Sequence, residues 1–212
     1  VHAHLTSPRM VPHEVAVLAA AEAAGVTTII TNGLNRQDNI AVQALAQRSD
    51  IVRPAFGLYP VDAVMEGMVT LGVDYHRDGD VRPAAETVDW VAEHVDECVA
   101  VGEVGLDHYW VPEPLWVEQE LVFRELVGIA LAADKPLIVH SRKAERRMLE
   151  VLVDEKAQRV CWHCFGSKVK LGLRIADQGH YLSIPANARK SQSFTALLRK
   201  LPRDRVLLET DS

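Results

Sequence analysis

Long apolar runs are missing from this 212-residue chain; no stretch of eighteen or more apolar residues exists, so no membrane-spanning helix is expected. The N-terminus lacks the charged region and apolar stretch of a secretory signal. Cysteine is sparse. Cys98, Cys161 and Cys164 are odd in number and too few for a disulfide scaffold, which suits a reducing compartment and predicts a cytoplasmic location. Cys161 and Cys164 flank Trp162 and His163, but no second ligand pair at zinc spacing accompanies them, which argues against a structural zinc site. No linker, repeat or low-complexity segment divides the chain, so residues 1–212 read as one domain. There is no initiator Met and no closing helix after Asp211, so both ends are expected to be incomplete.

Basic residues are scarce in the first two thirds. Residues 1–134 carry 7 Lys+Arg against 21 Asp+Glu, whereas residues 135–212 carry 16 against 8. The two parts are therefore -14 and +8 within a net charge of -6. The basic part could face an anionic substrate, or it is a solvated surface with its signs unevenly placed.

Short β-branched or apolar runs alternate with longer helical patterns. Candidate strands are His2–Leu5, Thr27–Thr31, Val52–Leu58, Val99–Val104, Leu137–His140, Val160–Cys164, Tyr181–Ile184 and Val206–Glu209. Helical periodicity spans Pro12–Ala24, Asn39–Arg48, Ala84–Glu97, Leu115–Ala133, Ala144–Glu155, Lys168–Asp177 and Ser191–Leu201. In Leu115–Ala133 the apolar stripe reads Leu115, Val122, Leu126, Ile129 and Ala133. Eight strands, each but the last followed by a helix, predict an α/β fold, a (β/α)8 TIM barrel without its final C-terminal helix. The polar, turn-rich stretch Leu71–Pro83 is expected as a surface loop on the face where such barrels place active sites.

Six metal-type residues fall near the C-terminal ends of these runs: His2, His4, Glu103, His140, His163 and Asp211. Side chains alternate along a strand, so His2 and His4 share one face, as do Cys161 and His163. Each residue alone has an ordinary reading: a hydrogen-bonded core histidine, a buried ion-pair partner, a helix cap. All six together at one barrel mouth point to a metal site, because an inward cluster of ionisable groups without a cation is costly to bury. Imidazole and carboxylate without thiolate suit zinc, manganese, cobalt or nickel, and magnesium is tolerated where water completes the shell.

The ordered motifs are H-x-H-L at the start, G-L-Y-P at Gly57–Pro60, G-E-V-G-L-D at Gly102–Asp107, V-H-S-R-K-A at Val139–Ala144, H-C-F-G at His163–Gly166 and E-T-D-S at Glu209–Ser212. In this combination the chain resembles the TatD-like metal-dependent hydrolases of the amidohydrolase superfamily. The resemblance implies a binuclear barrel that hydrolyses phosphodiesters, often as a deoxyribonuclease. It implies two divalent metal ions (Zn, Mn or Mg), with His2 and His4 holding one beside Asp211. Glu103 would bridge to a second held by His140 and His163. Asp211 and Glu103 become the catalytic carboxylates, Asp211 orienting and deprotonating the attacking water.

Arg142, directly after the His140 strand end, is a candidate clamp for a phosphate oxygen. Lys143, Arg146 and Arg147 form a basic patch that could track a nucleic-acid backbone or simply face solvent. Tyr59 stands where the family commonly has histidine, in a position that contacts substrate; it can donate a hydrogen bond but is a poor acid or base at neutral pH. His108 and Tyr109 are candidates for the mouth. The expected partner is DNA or a small phosphodiester, with no membrane and no obligate protein partner. The competing readings are an amidohydrolase acting on an ester, lactone, amide or aminoacyl-tRNA carbonyl, and a barrel kept only for binding.

Overall fold

The computed structural model describes residues 1–75 and 81–211. Seven strands form one parallel sheet in chain order: β1 (Ile29–Asn32), β2 (Val52–Phe56), β3 (Ala100–Asp107), β4 (Leu137–Arg142), β5 (Val160–Trp162), β6 (Tyr181–Pro185) and β7 (Val206–Glu209). Between them lie α1 (Glu14–Ala23), α2 (Arg36–Gln47), α3 (Met65–Thr70), α4 (Ala84–His94), α5 (Trp116–Ala132), α6 (Glu145–Asp154), α7 (Val169–Asp177) and α8 (Gln192–Lys200). Parallel neighbours demand a crossover at each step, and the helices supply it. No described helix is long and apolar enough to cross a membrane.

The predicted strand His2–Leu5 is not a regular strand. Only Ala3 bridges, to Thr31 of β1. The chain turns at once, with Ser7 N donating to the His4 carbonyl at 3.1 Å, so the pairing cannot extend. The segment nevertheless closes the barrel. Asn32 N donates to the Ala3 carbonyl at 2.9 Å on one side. On the other, Asp211 N donates to the His2 carbonyl at 3.2 Å, and the Val1 amino group to the Leu208 carbonyl at 3.0 Å.

The main core lies between sheet and helices. From the sheet it takes Phe56, Val101, Val104, Leu106, Leu137, Val139, Trp162 and Leu182. The long helix α5 inserts Phe123, Leu126, Val127 and Ala130. This face is rotated from the predicted stripe: Val122 and Ile129 are only half-buried, and the fully buried Phe123 takes the centre. Burial of each such side chain stabilises by about 1.5–3 kcal/mol, so the largest aromatic sets the orientation. Helix α2 begins at Arg36, earlier than its apolar pattern, because Asn35 caps it by accepting from Asp38 N at 3.0 Å. Helix α3 has no counterpart among the predicted helices; it is one short piece after β2, broken in pattern by Gly67. Residues 76–80 of the predicted Leu71–Pro83 loop lie outside the described residues.

Candidate metal centre

Inside the barrel the strands lay down two storeys. The lower is apolar and small: Ile30, Ala55, Ala100, Ile138, Cys161 and Leu207, with Val1 beside them. Two residues further along the same faces come Asn32, Gly57, His140, His163 and Glu209. Strand β3 departs from this period. A register shift between Val101 and Val104 allows Glu103, three residues beyond Ala100, to face inward. Glycine is required beside it: a Cβ on Gly102 would sit 2.7 Å from Ile138 Cβ, and one on Gly57 2.5 Å from the Gly102 carbonyl carbon.

Glu103 is the centre of the arrangement and is only 2 % exposed. Its Oε1 lies 3.0 Å from both His140 Nδ1 and His163 Nε2. Its Oε2 lies 3.4 Å from His2 Nε2 and 3.2 Å from His4 Nε2. Each carboxylate oxygen thus meets its own pair of imidazoles. Within the pairs, His2 Nε2 and His4 Nε2 approach to 3.0 Å, and His140 Nδ1 and His163 Nε2 to 3.2 Å. Asp211 Oδ1 stands 3.6 Å from His2 Nε2. Potential ligand atoms converge in three sets: His2–His4–Glu103, Glu103–His140–His163, and His2–His163–Asp211.

The outward nitrogens fix which lone pairs face inward. His4 Nδ1 lies 3.2 Å from the Asn32 carbonyl, which only accepts, so Nδ1 carries the proton and the neutral ring's Nε2 lone pair points at the centre. His140 Nε2 lies 2.9 Å from Asp107 Oδ2, so in the neutral ring that a metal would require Nε2 carries the proton and Nδ1 offers the inward lone pair. Asp107 is itself held by the backbone N–H groups of Tyr109 and Trp110, both at 2.9 Å. Orientation of metal-binding imidazoles by carbonyls and carboxylates is the usual second layer of such sites. The donor set fits divalent cations: four imidazoles, a fully buried carboxylate and a half-exposed one, with no lysine or arginine paired to either acid among the described residues.

Protonation follows the same geometry. Burial pushes the His2 imidazole down to about 4, assisted by the neighbouring His163. Burial opposes charge on His140 too, but its bonds to Asp107 and Glu103 outweigh it and raise it to about 9. Glu103 is opposed by burial, yet the surrounding His163, His2 and His140 hold it well below the usual carboxylate range.

Three of the six predicted residues, Glu103, His140 and His163, sit elsewhere on their strands than the sequence suggests, while Asp211 keeps its place just past the last strand. Glu103 and His140 lie in mid-strand, not at the end; His163 follows the last residue of β5; Asp211 lies two residues beyond β7 with φ 53°. The six still converge. A cavity of about 870 Å³ opens above them, lined by His4, Glu103, His140, His163 and Asp211 together with Arg9, Asp38, Tyr59 and Tyr75. Tyr59 is in place, its ring 5.0 Å from that of His140. Arg142 is not among the described residues lining this cavity; its guanidinium lies over Tyr109, 3.8 Å from the ring centroid. His108 and Tyr109 are likewise off the cavity wall, and His108 stacks on Trp116 at 3.9 Å. Arg147 is committed to Glu120 and Glu150. No cysteine belongs to a ligand set among the described residues, and burial drives the Cys161 and Cys164 thiols up to about 12.

Two residues went unassigned at the level of sequence. Asp107 lies four residues after Glu103, and this spacing was the available signal, since positions 103 and 107 of one strand share a face. Glu209 is buried beneath His163, accepting from Cys164 N at 2.8 Å and from the Ser183 hydroxyl. Its charge was indistinguishable in sequence from a strand-end surface acid.

Comparison with known proteins identifies the family. The Bacillus subtilis protein named as an uncharacterized metal-dependent hydrolase, YabD, is 28% identical over 217 residues, covering 99% of this chain and 78% of that protein. The human deoxyribonuclease TATDN3 is 27% identical over 219 residues, covering 100% of this chain and 76% of its own length. The crystal structure of YJJV, a TatD homologue from Escherichia coli, superposes with a TM-score of 0.82 at 26% identity, covering 100% of this chain and 77% of that one. The family described as TatD related DNase matches residues 1–212, end to end, and the chain belongs to it.

Proposed function

We propose that this chain is a metal-dependent phosphodiesterase that cleaves DNA, with residues 1–212 acting as one domain. The observation that carries the reading is the division of labour at Glu103, each oxygen facing a separate pair of imidazoles. In this reading His2, His4 and Asp211 would hold one divalent cation and His140 and His163 a second, with Glu103 contributing to both sets. When bound, such a pair supplies an acidified water and neutralises charge on the phosphoryl oxygens.

The chain's own groups do the rest. Asp211 is the one acid of the set that reaches solvent, its side chain 35 % exposed, so it orients the attacking water and accepts its proton. Tyr59 reaches into the cavity beside His140 and donates its hydroxyl proton in a hydrogen bond to a phosphate oxygen. Arg142, fixed on Tyr109 at the rim, offers a cation to the next phosphate. The family membership and the name of the human relative support a nucleic-acid substrate.

The test is hydrolysis of 3′- and 5′-labelled single-stranded DNA with Mg2+, Mn2+ or Zn2+, alongside Glu103→Ala. Metal-dependent shortening that the folded variant has lost supports the reading, and the labels give the polarity. Intact DNA together with cleavage of an ester or lactone would move the site to carbonyl chemistry.

A further inference from the structure

We propose that a surface beside the mouth, formed by the loops after β3, β4 and β5, is a track for single-stranded nucleic acid: an aromatic ledge followed by a basic groove. The inference rests on the nuclease reading for its ligand class, and on its own observations for its location.

The ledge is Tyr109 and Trp110. Both are unusually open for aromatics, 51% and 42% exposed, and their rings meet edge to face at 4.9 Å. Trp110 also meets Tyr75 at 5.4 Å, and Tyr75 lines the catalytic cavity, so the ledge starts at the cavity wall. Arg142 lies across Tyr109 at 3.8 Å and 5.6 Å from the Trp110 centroid, which holds a cation in a fixed place on the aromatic surface. Tyr109 and Trp110 are in turn anchored by their N–H bonds to Asp107, the residue that orients His140.

The groove borders the ledge through the chain itself: His108 precedes Tyr109, and Lys143 follows Arg142. It is a depression of about 550 Å³ between the starts of α6 and α7. Among the described residues its walls carry six Lys or Arg side chains against one acid, Glu145. Arg147 is neutralised by Glu120 and Glu150, but Lys143, Arg146, Lys168, Lys170 and Arg174 form no ion pair among the described residues. All five are exposed. A run of unneutralised cations on a protein of net charge -6 is a local field, and it complements a polyanion with closely spaced charges. Exposed π-faces next to it select a strand whose bases are unstacked, because duplex bases have no free faces to offer.

The experiment is fluorescence anisotropy of a labelled 16-nucleotide single strand in EDTA, which measures binding without turnover, with thermal melts confirming the fold of each variant. Lys168→Ala combined with Lys170→Ala is expected to raise Kd about tenfold and to lower the slope of log K against log salt by about 1.4, or 0.7 per lost phosphate contact. Trp110→Ala is expected to raise Kd about tenfold with the salt slope unchanged. The matching duplex is expected to bind more weakly than the single strand. Unchanged Kd and slope in the double variant would overturn the groove, and equal binding of duplex would overturn the ledge. DNA cleavage by the wild type, followed separately, distinguishes the two readings. A protein that cleaves DNA while the variants bind normally loses the track and keeps its function; one that binds through the track without cleaving loses the nuclease reading alone.

Discussion

Asp107 Oδ2 sits 2.9 Å from His140 Nε2, while the other nitrogen of the same ring faces Glu103 at 3.0 Å. One imidazole is therefore gripped between two acids four residues apart on one strand. Asp107→Asn keeps the size of the side chain but can present its amide N–H to the ring and reverse the tautomer. Activity and metal affinity are expected to fall about 10- to 100-fold, the usual cost of removing such a partner. Titration calorimetry with Mn2+ and initial rates on the same preparation check this. A rate loss with unchanged affinity would show that Asp107 does not act through His140.

Chelation should loosen the fold as well as stop the reaction. The proposed ligands come from the segment before β1, from β3 and β4, and from the residues after β5 and β7, so a cation held by His2, His4, Glu103 and Asp211 joins parts of the barrel that no single helix connects directly. A cation at a hundred times its Kd stabilises by about 2.7 kcal/mol. Calorimetric melts with Mn2+ and with EDTA are expected to differ by several degrees, with the metal-loaded protein melting higher.

Tyr59 offers a sharper substitution. In Tyr59→Phe the ring stays against His140 and only the hydroxyl is lost. If that hydroxyl donates to a charged phosphate oxygen, about 1.5–3 kcal/mol of binding goes with it, or roughly a 10- to 150-fold rise in KM. Steady-state kinetics on a short oligonucleotide read this directly. An unchanged KM would place the phosphate beyond Tyr59.

Acid stability has one legible source on the outer face. Glu120 accepts from Arg147 at 2.7 Å and from Arg124 at 3.0 Å, and the Arg147 bond first, then that of Arg124, hold its carboxyl below the ordinary value of 4.5 despite partial burial. A depressed carboxylate stabilises the fold above its unfolded value and loses that contribution as pH falls through the folded one. Glu120→Gln is expected to be less stable than the wild type at pH 7 by up to about 1 kcal/mol, as for partly exposed pairs, with the two converging as pH falls below the ordinary carboxylate value. Urea melts at pH 7 and at pH 3.5 give the comparison.

The regular units were legible because β-branched runs and helical periods alternate, and each predicted interior strand has its counterpart from β1 to β7. The segment carrying His2 and His4 was legible as candidate ligands but not as an irregular edge, because its turn is closed by a backbone bond from Ser7 to the His4 carbonyl across Leu5 and Thr6, neither of which is a strong turn former. Glu103 was recognised while its depth was not: the register shift that turns it inward is a property of pairing between β3 and β4. Arg142 shows the same limit. Its place after a ligand strand pointed at the mouth, yet the exposed face of Tyr109 captured its guanidinium. Asp107 was visible as a letter in a motif, but its role needed the distance to His140.

The closure of the barrel has a bearing on how the molecule is made. His2 and Asp211 are joined by a backbone bond, and Val1 is tied to Leu208 across 207 positions. A ribosome delivers the first of these residues long before the last, and domains take shape as their parts emerge. Until residue 211 has been made, the histidine pair at positions 2 and 4 has no acid at that position to meet. In the proposed reading the centre is therefore assembled only after the segment following β7, which carries Asp211, has joined the segment before β1.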